Sequence, residues 1–349
     1  MRLPLLLLSA LAACPAAAFA AQDGAALLPV YREAVRTYQT TQTLDPARPL
    51  VGAWTREDFE TVTAAEAHAG DRGRIEAAAV FHLEIALGMA PSTPDGAMLH
   101  VRLGERLVGA LAASAPGLCG RWYGVAASVF LAQTDTVRAR QVLERGLAAV
   151  PDSATLHLLT GAVEEIEAQR FEPDVAQDSA GSQAALLRNA RTEVEGSVRF
   201  TFAEDAYRRA LAIDPDLVGA RVRLGRVLFL RRRVPDARAA LERARADAVA
   251  LPDRYLARLF LAELSASSSD IDAARRLLDE ARAMAPDRQS AWLALAQLEE
   301  RHGRPDRARA LVIEGLSRSA SALVDEWWLY RNGWLDREGL AWLRARVHR

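Results

Sequence analysis

The chain has 349 residues, half of them apolar and 6% aromatic, and its formal net charge is −1 at pH 7. This balanced charge gives no electrostatic case for binding nucleic acid. All 44 basic residues are arginine, as a GC-rich coding sequence would produce. The length suits two ordinary domains or one solenoid, and the absence of strand-like alternation predicts an all-α protein.

Residues 1–20 are predicted to be a signal peptide. Arg2 supplies a positive start, and residues 3–13 form an apolar run that is too short to span a membrane. A small–x–small cleavage site follows at residues 18–20. We therefore expect the mature chain to begin at Ala21.

A second interpretation of the N-terminus remains open. Residues 11–14, Leu-Ala-Ala-Cys, resemble a bacterial lipobox, which would make Cys14 a lipidated N-terminus. Pro15 and the apolar residues 16–21 argue against it, because lipoproteins usually have a polar tether there. Both interpretations predict export to the periplasm or the outer membrane, and the sequence has no second apolar run long enough to span a membrane.

Residues 21–119 are predicted to form an N-terminal helical region with one degenerate repeat near residues 60–93. The predicted helices are residues 27–41, a helix pair over 56–91 and an amphipathic helix over 95–113. A proline-rich stretch through Pro46 and Pro49 separates the first two. No repeat can be assigned between residues 94 and 119.

A small–large–small triplet recurs along the chain, in several places 34 residues apart. Small residues let a partner helix approach, and the large residue fills the gap between neighbouring helices. The triplets are Ala79, Leu83 and Ala86; Ala139, Leu143 and Gly146; Ala203, Tyr207 and Ala210; Ala237, Leu241 and Ala244; Ala274, Leu278 and Ala281; and Ala308, Val312 and Gly315. A period of this length is typical of a stacked repeat protein.

Each triplet is preceded by a helix with its own pattern, such as Leu224, Gly225 and Leu228. Together the two patterns resemble the tetratricopeptide repeat family, over residues 120–170 and 200–322. The resemblance implies a right-handed superhelical solenoid of antiparallel helix pairs. It also implies a concave groove, lined by the first helices, that binds a protein or peptide partner.

The repeat is interrupted once. Ala139 and Ala203 are 64 residues apart, and residues 154–170 are predicted to form a first helix whose second helix comes only at 200–213. The predicted solenoid, 120–322, therefore contains an insertion at about 171–199. This segment is either a tolerated loop or, as an alternative, a functional element that folds over the groove in a small-ligand-binding or enzymatic protein.

The C-terminal residues 323–349 are rich in tryptophan. They hold four of the seven tryptophans of the chain: Trp327, Trp328, Trp334 and Trp342. A solenoid must cover the apolar face of its last unit, so we expect capping helices here. The alternative is an aromatic docking surface for a partner.

The sequence contains no catalytic or metal-binding motif, and we expect no enzyme, no metal and no cofactor. His82 and His157 are expected on partly buried helix faces. Glu164, Glu165 and Glu167 are expected to form a solvated face. The cations of residues 231–233 are expected to complement the end of a helix, with an anion clamp as the alternative.

The resemblance to the repeat family also implies which residues face the groove. These are Arg121, Glu165, Arg226, Phe229, Glu263, Gln297 and Glu300. The Lys/Asn pattern with which some members hold a C-terminal carboxylate is missing, because Val222 and Arg226 stand in its place. The sequence thus favours a non-catalytic exported scaffold, working in assembly or maintenance of the bacterial envelope, with a lipid-anchored outer-membrane scaffold as the alternative.

Overall fold

The structure is a computed structural model that describes residues 24–90, 92–170 and 183–318. This part of the chain forms fifteen α-helices and no strand, which confirms the predicted all-α class. The helices belong to two compact units, one ending at Ser114 and the other beginning at Ala115. The expectations for residues 1–20 and for the tryptophan-rich residues 323–349 lie outside the described residues.

Unit 1 is a small helical bundle around one buried helix. Its helices are α1 (Gly24–Thr41), α2 (Ala47–Ala53), α3 (Arg56–Ala69), α4 (Arg72–Met89) and α5 (Pro94–Gly109). Helix α4 packs against α1, α3 and α5, and its residues from Ile75 to Ala86 are all buried. Helix α2 was not predicted, because it lies in the proline-rich stretch.

Two of these helices, α3 and α4, have a side-chain cap at their N-terminus. Thr55 and Asp58 form a reciprocal capping box at the start of α3, where the backbone N–H of Thr55 donates to Asp58 Oδ2 at 2.7 Å. Asp71 accepts from the backbone N–H of Arg74 at 2.9 Å and caps α4. The two caps set where α3 and α4 begin.

Unit 2 is a stack of antiparallel helix pairs. Its helices are α6 (Pro116–Leu131), α7 (Thr136–Ala149), α8 (Ala154–Arg170), α9 (Gln183–Ile213), α10 (Val218–Leu230), α11 (Val234–Asp247), α12 (Leu251–Ser267), α13 (Ile271–Met284), α14 (Gln289–Arg301) and α15 (Pro305–Arg318). Each even-numbered helix packs most extensively against the next odd-numbered one. The predicted solenoid of helix pairs is confirmed, and α6 and α7 form its first described pair.

Within a pair, a large side chain of one helix lies where the other helix has glycine. A Cβ atom placed on Gly225 of α10 would lie 2.5 Å from Cγ of Leu241 on α11, which is closer than carbon atoms can approach. A Cβ atom placed on Gly161 of α8 would likewise lie 2.4 Å from Cε1 of the Tyr207 ring on α9. These contacts explain why glycine lies opposite the large residue of the triplet in these two pairs, because a Cβ atom there would overlap the partner side chain.

The interrupted repeat is completed by an unusually long helix. Helix α9 has 31 residues, so it is about 46 Å long, whereas its partner α8 has 17 residues. The second helix expected at 200–213 is therefore the C-terminal part of a helix that begins at Gln183. The contact between Gly161 and Tyr207 shows that α8 and α9 are one repeat pair despite the insertion.

We predict that Gly225→Ala destabilises the protein although alanine favours helix. Overpacking against Leu241 costs about 1–3 kcal/mol, which exceeds the gain in helix propensity of about 1 kcal/mol. The control is Gly219→Ala on the same helix, where the nearest atom to the added Cβ is Asp253 Oδ1 at 3.6 Å. Thermal unfolding should show a lower Tm for Gly225→Ala and an unchanged or higher Tm for Gly219→Ala. Equal Tm values for the two variants would contradict the packing argument.

Candidate binding groove

A groove of about 630 Å³ lies between the first helices α12 and α14 of unit 2. Phe229 borders it from α10, and Ile271 and Leu278 reach it from α13. Its other apolar lining residues are Leu259, Ala262, Ala266, Leu293, Ala294 and Leu298.

Polar side chains lie among these apolar ones. Glu263 and Gln297 are exposed residues of α12 and α14, respectively, that line the groove. Arg301 and His302 line it where α14 ends, and His302 Nδ1 donates to the carbonyl oxygen of Leu298 at 2.7 Å. The groove therefore offers apolar contact area with a few hydrogen-bonding groups, as peptide-binding clefts do.

The structure brings three of the seven predicted groove residues together. Phe229, Glu263 and Gln297 line the groove described above. Glu300 is exposed on α14 and Arg121 is exposed on α6, but neither lines it.

The remaining two predicted groove residues bind each other. Glu165 on α8 is buried and pairs with Arg226 on α10. It also accepts from Arg223 Nη1 at 3.0 Å and from the hydroxyl of Tyr207 at 2.6 Å. The Arg226 guanidinium lies 5.7 Å from the ring centre of Phe260 on α12. Glu165 therefore joins α8, α9 and α10 and does not line the groove.

The Glu165 carboxylate stays charged in this buried position. Burial by itself would raise its pKa, but Arg226, Arg223 and the hydroxyl of Tyr207 together hold that pKa below the usual 4.5. Its contribution to folding is thus complete above pH 4.5 and is lost as the pH falls through the lowered pKa.

The expectation of a solvated acidic face at Glu164, Glu165 and Glu167 was wrong. Glu164 is buried and pairs with Arg140 of α7 and, at 2.8 Å, with Arg199 of α9. Glu167 accepts from the hydroxyl of Thr136. Sequence reasoning missed this because the partners are 24 to 35 residues away from them along the chain.

The interpretation of Arg231 and Arg233 also changes. Both pair with the buried Glu204 of α9, and the distance from Arg233 Nη1 to Glu204 Oε1 is 2.6 Å. Arg208 Nη1 reaches the same carboxylate at 2.6 Å. Arg231 and Arg233 thus join two repeat pairs, so the structure does not support an anion clamp there.

The described residues contain neither a metal-binding cluster nor a membrane-spanning helix. Over 24–90, 92–170 and 183–318, no group of three histidine, cysteine or acidic side chains could hold a metal ion. In the same part of the chain, every helix is too short or too polar to cross a membrane.

We predict that Glu165→Ala lowers the free energy of unfolding by about 3–5 kcal/mol, because it removes the buried carboxylate that pairs with Arg223 and Arg226. The control is Glu242→Ala, which removes an exposed pair with Arg245 that contributes about 1 kcal/mol or less. Urea unfolding of both variants at pH 7 measures the difference. Equal losses would show that the Glu165 cluster does not hold α8, α9 and α10 together.

Two segments of the chain match known repeat families. Models described as tetratricopeptide repeat match residues 199–250 and 265–324. No curated protein matches the chain.

Several solved structures are similar. Pseudomonas aeruginosa PilF is 18% identical, with 64% of this chain and 88% of PilF covered and a TM-score of 0.44. MamA is 17% identical, with 53% of this chain and 88% of MamA covered and a TM-score of 0.37. Yeast Tom70 is 12% identical, with 93% of this chain and 64% of that chain covered and a TM-score of 0.38. The two family matches establish that residues 199–250 and 265–324 carry tetratricopeptide repeats.

Proposed function

We propose that the chain is an exported, non-catalytic scaffold that binds a segment of another protein in the groove between α12 and α14. The observation that carries the proposal is the groove itself, an apolar cleft that lies on the first helices of consecutive repeat pairs. Repeat proteins of this kind use such surfaces to hold extended or helical segments. The proposed task is assembly or maintenance of the bacterial envelope.

The size of the groove indicates how much of a partner it can hold. From Ser290 to Arg301, the lining of α14 spans about 17 Å at 1.5 Å per residue. An extended segment of about five residues covers the same length at 3.3 Å per residue. A short linear segment, or one face of a helix, therefore fits the site.

The proposed site is tested by Leu293→Arg, which places a charge on the apolar wall at a partly buried position. We expect proteins crosslinked by the wild-type chain in its native envelope to be lost with this variant. The control is Val137→Arg on α7, a 64% exposed apolar residue outside the groove, which should leave the same proteins attached. Circular dichroism should first show equal helicity.

A photo-crosslinking residue at Gln297 locates the contact directly, because this exposed side chain lines the groove. The same residue at position 137 serves as the control. Partners that crosslink equally from both positions, or that survive Leu293→Arg, would show that binding occurs elsewhere on the chain.

Export is a separate part of the proposal and has its own test. We expect the purified mature protein to begin at Ala21, since residues 18–20 form the cleavage site. Intact mass spectrometry of protein isolated from its host measures this. A chain that begins at Cys14 with the mass of attached lipid would instead establish the outer-membrane lipoprotein.

A further inference from the structure

Four helices of unit 1 bring polar side chains to one point in its apolar core. His82 on α4 lies beside His100 on α5, with 2.9 Å between their Nδ1 atoms. His82 Nε2 lies 3.0 Å from the hydroxyl of Tyr31 on α1 and 3.3 Å from that of Thr63 on α3. All four residues are at most 2% exposed.

Aromatic rings surround the histidine pair. The Phe59 ring meets the His100 ring edge to face, with 4.9 Å between the ring centres. Phe81 lies 6.2 Å from His82, and Tyr31 stacks on His82 at 5.8 Å. A positive charge on either imidazole would therefore be formed where water cannot solvate it.

The hydrogen bond between the two rings requires one of them to be neutral. Between the two Nδ1 atoms there is room for one hydrogen, which one ring donates and the other accepts. A first added proton at Nε2 of the donating ring keeps this bond but places a charge in the core. Protonation of both rings puts a hydrogen on both Nδ1 atoms, removes the acceptor and breaks the bond between α4 and α5.

The nearby carboxylates are held by other partners. Glu66 on α3 pairs with Arg32 at 2.7 Å and with Arg74 at 2.9 Å. Glu84 on α4 accepts from the hydroxyl of Tyr38 on α1 at 3.4 Å. The groups that contact the histidine pair itself are the hydroxyls of Tyr31 and Thr63 and the neighbouring aromatic rings.

We propose that the His82–His100 pair makes unit 1 an acid-sensitive element, which opens on protonation of the pair while unit 2 remains folded. The buried charges of unit 2 are of the opposite kind, carboxylates held by arginines, as at Glu165. His157 is only partly buried and His302 is exposed, so neither places an imidazole in a dry core. The two units thus respond to mild acid differently.

The direction of the pH effect follows from the pKa values. Burial lowers the pKa of His100 to about 4, and burial together with the neighbouring His100 lowers the pKa of His82 well below 6.5. Between pH 6.5 and about 4 the unfolded state therefore binds more protons than the folded state. The stability of unit 1 falls as the pH decreases through this window, and the opening constant rises by up to about tenfold per pH unit and per histidine.

Hydrogen exchange of the full-length protein, followed by mass spectrometry from pH 7.5 to 4.5 and corrected for intrinsic exchange rates, tests the proposal. Between pH 6.5 and 5 we expect the opening constant of α4 amides to rise about fifteenfold per buried histidine. Amides of α12 in unit 2 should change far less. Equal pH dependence of α4 and α12 would overturn the proposal, as would constant protection of α4.

Two variants test whether the pH dependence of α4 exchange comes from the His82–His100 pair. His100→Gln keeps a side-chain hydrogen bond to His82 but cannot be protonated, so the pH dependence of α4 should become shallower. The control is His68→Gln, which removes an exposed histidine of the same unit and should leave the pH dependence unchanged. The opposite ranking of the two variants would refute the assignment.

A measurement on the wild-type chain covers the case in which His100→Gln does not fold. Slow deuterium exchange at the imidazole Cε1 position reports the titration of each histidine by mass spectrometry. We expect His82 and His100 to remain neutral well below the ordinary imidazole pKa of about 6.5 while unit 1 is folded. Titration of the buried pair near 6.5 in the folded protein would overturn the proposal.

Discussion

The close approach of the two helices in each repeat pair is the constraint on which unit 2 depends. Gly225 leaves room for Leu241, and Gly161 leaves room for Tyr207. A side chain at either glycine would push the two helices apart. The groove between α12 and α14 lies on the first helices of two such pairs.

Buried ion pairs also hold the helices of unit 2 together. Buried carboxylates at Glu164, Glu165 and Glu204 each bind at least two arginines that lie outside their own helix. Arginine suits this role because its planar guanidinium donates several hydrogen bonds and stays charged when buried. A buried pair gives little net stability, but removing one partner is costly, so these clusters mainly specify which helices meet.

The sequence predicted much of the fold and less of the site. The triplet spacing correctly located the helix pairs of unit 2, and three of the predicted groove residues, Phe229, Glu263 and Gln297, line one groove. Glu165 and Arg226 were also expected at a groove, yet they bind each other. Single-residue patterns could not show this, because the two side chains are 61 residues apart in the chain.

The repeat could be predicted from the sequence alone, with its period, its small and large residues and the place where it is interrupted. Helix periodicity and side-chain size are local properties, and the sequence contains them directly. Only the tertiary structure decided which polar residues are buried, such as Glu164 and the His82–His100 pair. Their burial depends on partners from distant helices, and the free energy of a polar group depends on whether those partners are present.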